Sequence, residues 1–126
     1  MPLDFNQADL ATQLASCTAG DTDQLNFGVI GIDAETLVRV YNTLEAKMAG
    51  LVLAQVMGKP LFTVVAPCMN NFMVAQRFED TAHEGGGLDA TIDYVLTLRM
   101  RPIKVKMRLL ATPDAPLRYV LVQRVP

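Results

Sequence analysis

The chemistry-bearing residues of this 126-residue chain are few. Cys68 stands in "VAPCMNNF", after a proline and an apolar run, and only Cys17 accompanies it as a second thiol. A thiol there is either a small core residue or an attachment point. Pro67 fixes its own φ and restricts Ala66, so the loop presenting Cys68 is stiff. In "YNTLE", Tyr41 brings a phenol and Glu45 a carboxyl four residues on. Glu45 also falls three residues after Asn42, where a capping-box partner sits. His83 is the one histidine. With no Cys/His cluster at ligand spacing, nothing supports a zinc or haem site, and a Cys68–His83 catalytic pair lacks a third group to orient it. Cys17 lies in a polar stretch and has no evident role.

Composition bounds the rest. One domain with a real core fits the length, and a 51% hydrophobic content is that of a globular chain. A net charge of −2 gives no reason to expect nucleic acid or an anionic membrane as partner. Apolar runs are too short for a spanning helix, and "MPLDFNQADL" is no secretory signal, so a cytoplasmic protein with reduced thiols is expected.

The elements that must position these groups follow from periodicity. "NQADLATQLAS" places Leu10 and Leu14 on one helix face, with Gly20 as a stop. "LNFGVIGID" and "LVRVYN" read as two strands of a hairpin. "NTLEAKMAGLVLAQVMGKPLF" is helical in short pieces, N-capped by Asn42 and broken at Gly50 and Gly58. Phe72, Ala75, Gln76, Glu79, Ala82 and His83 mark a longer helix that "GGG" (85–87) ends. "LDATIDYVLTLRM", "IKVKMRLLA" and "LRYVLVQRV" alternate as three strands, with "PDAP" as a turn. The basic stretch Arg99, Arg101, Lys104, Lys106 and Arg108 reads as the solvated face of a strand. The expected fold is α+β, a five-stranded antiparallel sheet with helices packed on one side.

This element order is the layout of a PAS domain. "LNFGVIGID", "VYNTLE", "VMGKPLF", "VVAPC", "RMRPIKVK" and "YVLVQRV" follow one another as in the photoactive yellow proteins, small blue-light receptors of the PAS class. The resemblance covers roughly residues 25–125 and implies one PAS domain over 1–126, with an N-terminal helical cap (1–24) on a PAS core (25–126). It implies a p-coumaric acid chromophore held as a thioester on Cys68, with its phenolate oxygen hydrogen-bonded by Tyr41 and Glu45. Met100 would pack beside the chromophore, and Ala49, Leu51, Phe62 and Pro67 would complete the pocket. Ala49 stands where the family often has threonine, and Leu51 where it has an arginine lid.

The implied chemistry is physically coherent. A buried phenolate needs donors. Glu45 donates only if protonated, which burial favours. Isomerisation would break these contacts, and proton transfer from Glu45 would leave a buried carboxylate, relieved by partial unfolding of the cap. The implied protein is a photoreceptor, not an enzyme, that signals to an unknown downstream partner as a monomer or weak dimer. The alternative is a chromophore-free PAS module that binds another small ligand or a partner protein.

Overall fold

The computed structural model describes residues 3–97, 102–113 and 115–124. Leu98, Arg99, Met100, Arg101 and Asp114, on which some of the expectations above fall, lie outside the described residues. The N-terminal segment contains α1 (Leu10–Ala15) and a short α2 (Ala19–Thr22). The hairpin β1 (Gly28–Ile32) and β2 (Val38–Tyr41) leads into α3 (Thr43–Ala49) and α4 (Leu53–Val56). A π-helical turn (Leu61–Val65) and a 3-10 turn (Pro67–Met69) precede α5 (Ala75–Glu84). The chain finishes on β3 (Leu88–Leu96), β4 (Ile103–Ala111) and β5 (Arg118–Arg124). The five strands form one sheet in the order β2-β1-β5-β4-β3, with every described pairing antiparallel.

Helices cover both faces of the sheet, not one as expected. On one face Ile30, Ile32, Val105, Met107, Leu109, Val120 and Val122 pack against α3–α5 and the intervening turns. On the other, Val29, Leu110, Tyr119 and Leu121 pack against Phe5, Leu10, Leu14 and Leu25 of the N-terminal segment. β1 is therefore buried along its whole length, which explains its near-continuous apolar run. Leu10 and Leu14 face the core as their spacing predicts. Gly20 is not the stop of α1. It lies inside α2, and α1 ends at Ala15.

The burial of Arg108 reverses its expected exposure. Lys104 and Lys106 do face solvent, but Arg108 is only 5% exposed. It lies under the N-terminal segment, where Nη1 donates to the carbonyls of Phe5 (2.9 Å) and Gln7 (2.7 Å). Its Nε and Nη2 grip Asp89 at 2.9 and 2.8 Å. Alternation placed Arg108 on the face opposite Val105 and Met107. That this face is covered is a tertiary fact.

α5 starts three residues later than Phe72, which is 79% exposed, and buries Phe78. Gly85, at φ 73°, ends it in the left-handed conformation that suits glycine. His83 sits exposed in the last turn.

Candidate functional site

Tyr41 reaches the main core through a β-bulge. Val38 and Tyr41 are three residues apart, so in a regular strand they would face opposite sides. The register of β1 on β2 runs Ile30 to Tyr41, Gly31 to Val40 and Ile32 to Val38, leaving Arg39 as the extra residue. That insertion turns both Val38 and Tyr41 toward α3–α5. No residue among those described hydrogen-bonds the Tyr41 hydroxyl.

Glu45 is set by the start of α3. Asn42 caps the helix, its side-chain oxygen accepting from the backbone N–H of Glu45 at 3.1 Å. The reciprocal half of a capping box is absent. The Asn42 N–H bonds the Val29 carbonyl instead (3.0 Å), and the Glu45 side chain turns elsewhere. The Asn42 amide donates to the carbonyls of Thr22 and Phe27, each at 3.0 Å, and Asp23 accepts from the Thr43 N–H at 2.7 Å. The residue that positions Glu45 is thus bonded directly to the end of the N-terminal segment.

The carboxylate of Glu45 is fully buried and forked on Arg124, which binds Oε1 through Nη1 and Oε2 through Nη2 (3.2 Å). Sequence reasoning missed this partner. Arg124 sits at the end of β5, and nothing local links it to residue 45. Burial pushes the Glu45 carboxyl above its usual value even though Arg124 pulls the other way. Burial also pushes the Tyr41 phenol well up. The charges of Glu45 and Cys68 add to that push and Arg124 opposes it. Glu45, Arg124 and Cys68 thus all lie close enough to act on the Tyr41 phenol.

Cys68 is half-buried against the main core. The π-helical turn, closed by bonds from Val65 N–H to Pro60 and from Ala66 N–H to Leu61, leads the chain into Pro67. Pro67 opens the 3-10 turn at a position that needs no N–H, and its ring is exposed, so it acts on Cys68 through the backbone. Ala66 stands outside the helical region, at φ −140° and ψ 70°. The Cys68 carbonyl accepts from the Tyr94 hydroxyl (2.5 Å) and from the Asn71 amide (3.2 Å). Asn71 Oδ1 in turn accepts from the N–H groups of Met73 and Val74. Tyr94 and Asn71 were not singled out from the sequence. Their signal is weak, since a strand tyrosine and a loop asparagine are common.

Of the remaining expected pocket residues, Ala49 and Phe62 are buried and Leu51 packs partly buried on the main core. Phe62 lies against Phe78, ring centres 6.5 Å apart. Cys17 is half-buried in the second core, where its thiol donates to the Gln13 carbonyl at 3.3 Å. No helix of the described residues is long and apolar enough to cross a membrane.

No protein-family model matches the chain. It is similar to the photoactive yellow protein of Rhodothalassium salexigens, 30% identical over 121 residues that make up 96% of each chain. It is 35% identical over 108 residues, 83% of each chain, to the photoactive yellow protein of Halochromatium salexigens. Among solved structures it resembles the photoactive yellow protein domain from the sensor histidine kinase Ppr of Rhodospirillum centenum. That match has a TM-score of 0.81 at 28% identity and covers 90% of this chain and 98% of that one. The PAS domain of the Cronobacter turicensis RpfR quorum-sensing receptor shares the fold, with a TM-score of 0.61 at 14% identity over 80% of this chain and 95% of that one.

Proposed function

Because the chain belongs to the photoactive yellow protein family, whose members are PAS-fold photoreceptors and not enzymes, we propose that it is a blue-light receptor carrying p-coumaric acid as a thioester on Cys68. The observation that carries this reading is the main core that Tyr41 and Phe62 enter and on which Leu51 and Cys68 pack, with Glu45 fully buried. A thiol and a phenol donor lie on one apolar core there, and a buried carboxyl stands near the phenol.

The residues present fit the group. Cys68 offers a half-buried thiol. Tyr41 offers an O–H that no described residue occupies. Glu45 offers a carboxyl whose proton affinity burial raises against the pull of Arg124. Ala49, Leu51 and Phe62 would supply apolar walls, Pro67 would stiffen the attachment loop, and Met100 would stand near the ring.

Bound, the p-coumaroyl group supplies visible absorption and a light-driven trans-to-cis isomerisation. The chain's own residues do the rest. Tyr41 would donate one hydrogen bond to a phenolate oxygen, and Glu45, when protonated, would donate another. Loss of the Glu45 proton leaves a buried carboxylate, a costly desolvated charge even with Arg124 beside it. That cost falls on α3, and passes through Asn42 to Thr22 and through Thr43 to Asp23, at the end of the 1–24 cap. The PAS core (25–126) would keep its fold while the cap loosens for a downstream signalling protein to read.

Reconstitution tests this. The apoprotein is mixed with an activated p-coumaroyl thioester, and the visible spectrum and intact mass are recorded beside Cys68→Ala. A single adduct, absent from Cys68→Ala, that is yellow, bleaches in blue light and recovers is the expected result. A folded protein that takes no adduct rejects the reading, in favour of a PAS module for another ligand.

A further inference from the structure

Glu45 occupies a place that donating a proton does not require. Its carboxylate is fully buried, and both of its oxygens are taken by Arg124. The surroundings are shaped for this pair. β1 presents Gly28 beneath it, where a Cβ would stand 2.2 Å from Glu45 Oε1 and 3.0 Å from Cδ. In the sheet register Gly28 lies opposite Val122, and Arg124 is the next residue of β5 on that same face. The Arg124 side chain is 15% exposed, and its Nε is buried without a partner among the described residues. The neighbouring cation on β4, Lys106, is bonded to Asp93 at 3.2 Å.

We propose that Arg124 is a positioning residue that seats the ionised Glu45 carboxylate over Gly28, so that Glu45 can serve as a donor beside Tyr41 only once it is protonated. This rests on the hydroxycinnamate reading above and deepens it. An ionised carboxylate accepts both guanidinium N–H groups in a charge-assisted fork. A proton on either oxygen cancels the charge and turns one acceptor into a donor, which weakens the fork and frees the side chain to turn. When that proton passes to a phenolate acceptor, the carboxylate regains its charge and its seat. Arg124 thereby supplies a counter-ion for the state that burial alone would make too costly.

Among the described residues, the groups facing Glu45 are few. Arg124 comes from β5, Tyr41 from the end of β2, and β1 contributes only the bare Gly28. Cys68 acts on the site through Tyr41, and Lys106 lines the same cleft as Arg124 from β4.

The first test needs no chromophore. Glutamate labelled with carbon-13 at the side-chain carboxyl is followed by NMR through a pH titration of the apoprotein, with Glu45→Gln assigning the resonance. Arg124→Gln is expected to raise the Glu45 midpoint by at least about one pH unit, the scale of a lost charge-assisted hydrogen bond. Arg124→Lys keeps the charge, loses the fork and is expected to raise it by less. It carries the test if Arg124→Gln does not fold. A midpoint equal to wild type in the folded variant overturns the proposal.

The second test uses protein loaded with p-coumaroyl thioester. Arg124→Gln is expected to return to its dark spectrum at least about tenfold faster, because the ionised carboxylate has lost its counter-ion. An unchanged return on a protein that carries the adduct overturns the role of Arg124 and leaves the photoreceptor reading intact. A wild-type protein that takes no adduct defeats the photoreceptor reading, and the titration still judges the ion pair.

Discussion

Glu45 lies directly over Gly28, so close that a methyl group on residue 28 would stand 2.2 Å from its Oε1. The absent side chain makes the room in which a carboxylate can be buried and still meet Arg124 from a neighbouring strand. Gly28 opens β1, and a strand glycine often marks a close approach of this kind.

Gly28→Ala follows from that contact. The added methyl must displace either the carboxylate or β1. Its cost is expected to be about 1–3 kcal/mol, the range for overpacking, read from urea unfolding midpoints. In a double-mutant cycle with Glu45→Ala the penalty should shrink, because the obstructing oxygen is gone. An equal penalty in both backgrounds would place the clash elsewhere.

Arg108 pins the N-terminal segment to the back of the sheet through two carbonyls and Asp89. Arg108→Ala is expected to cost about 2 kcal/mol, on the scale of hydrogen bonds to charged groups. Amide exchange should accelerate over residues 3–24 first, with β1 and β5 following only on global unfolding.

Asp89 adds a pH signature. Its hydrogen bonds to Arg108 hold its carboxyl below the usual 3.8. The folded state therefore takes up this proton less readily than the unfolded chain. The stabilisation is complete above the ordinary aspartate value and is lost as the pH falls through the lowered one. The stability difference between wild type and Asp89→Asn should accordingly be constant near neutrality and shrink on acidification. Denaturant melts at a series of pH values would show it, and a difference that grows toward acid would contradict the assignment.

Tyr94 and Asn71 hold the carbonyl of Cys68. Tyr94→Phe removes the hydroxyl donor while keeping the ring and is expected to cost about 1 kcal/mol. The attachment loop should then open more often, so alkylation of Cys68 in the apoprotein should quicken several-fold. Cys17 alkylation serves as the internal control and should not change.

Much of the fold could be read along the chain. Alternation in "IKVKMRLLA" and "LDATIDYVLTLRM" located β3 and β4 and their core faces, because each strand repeats every two residues whatever it packs against. Asn42 and the glycines at 50, 58 and 85 marked boundaries for the same local reason, and all three glycines do adopt positive φ. The strings around Cys68, Tyr41 and Glu45 were enough to indicate the family. Local pattern could not tell that a second face of the sheet is covered, so Arg108 looked solvated when it is buried.

The thiol, the phenol and the carboxyl were determined by sequence alone, since covalent identity and short-range spacing are written in it. Tertiary structure alone decided where they point. A one-residue bulge at Arg39 turns Tyr41 into the core. A missing side chain at Gly28 and a cation 79 residues from Glu45 determine where that carboxylate rests. Register and long-range pairing settle these placements, and they arise only when distant segments are brought together by burial of the apolar surface they share.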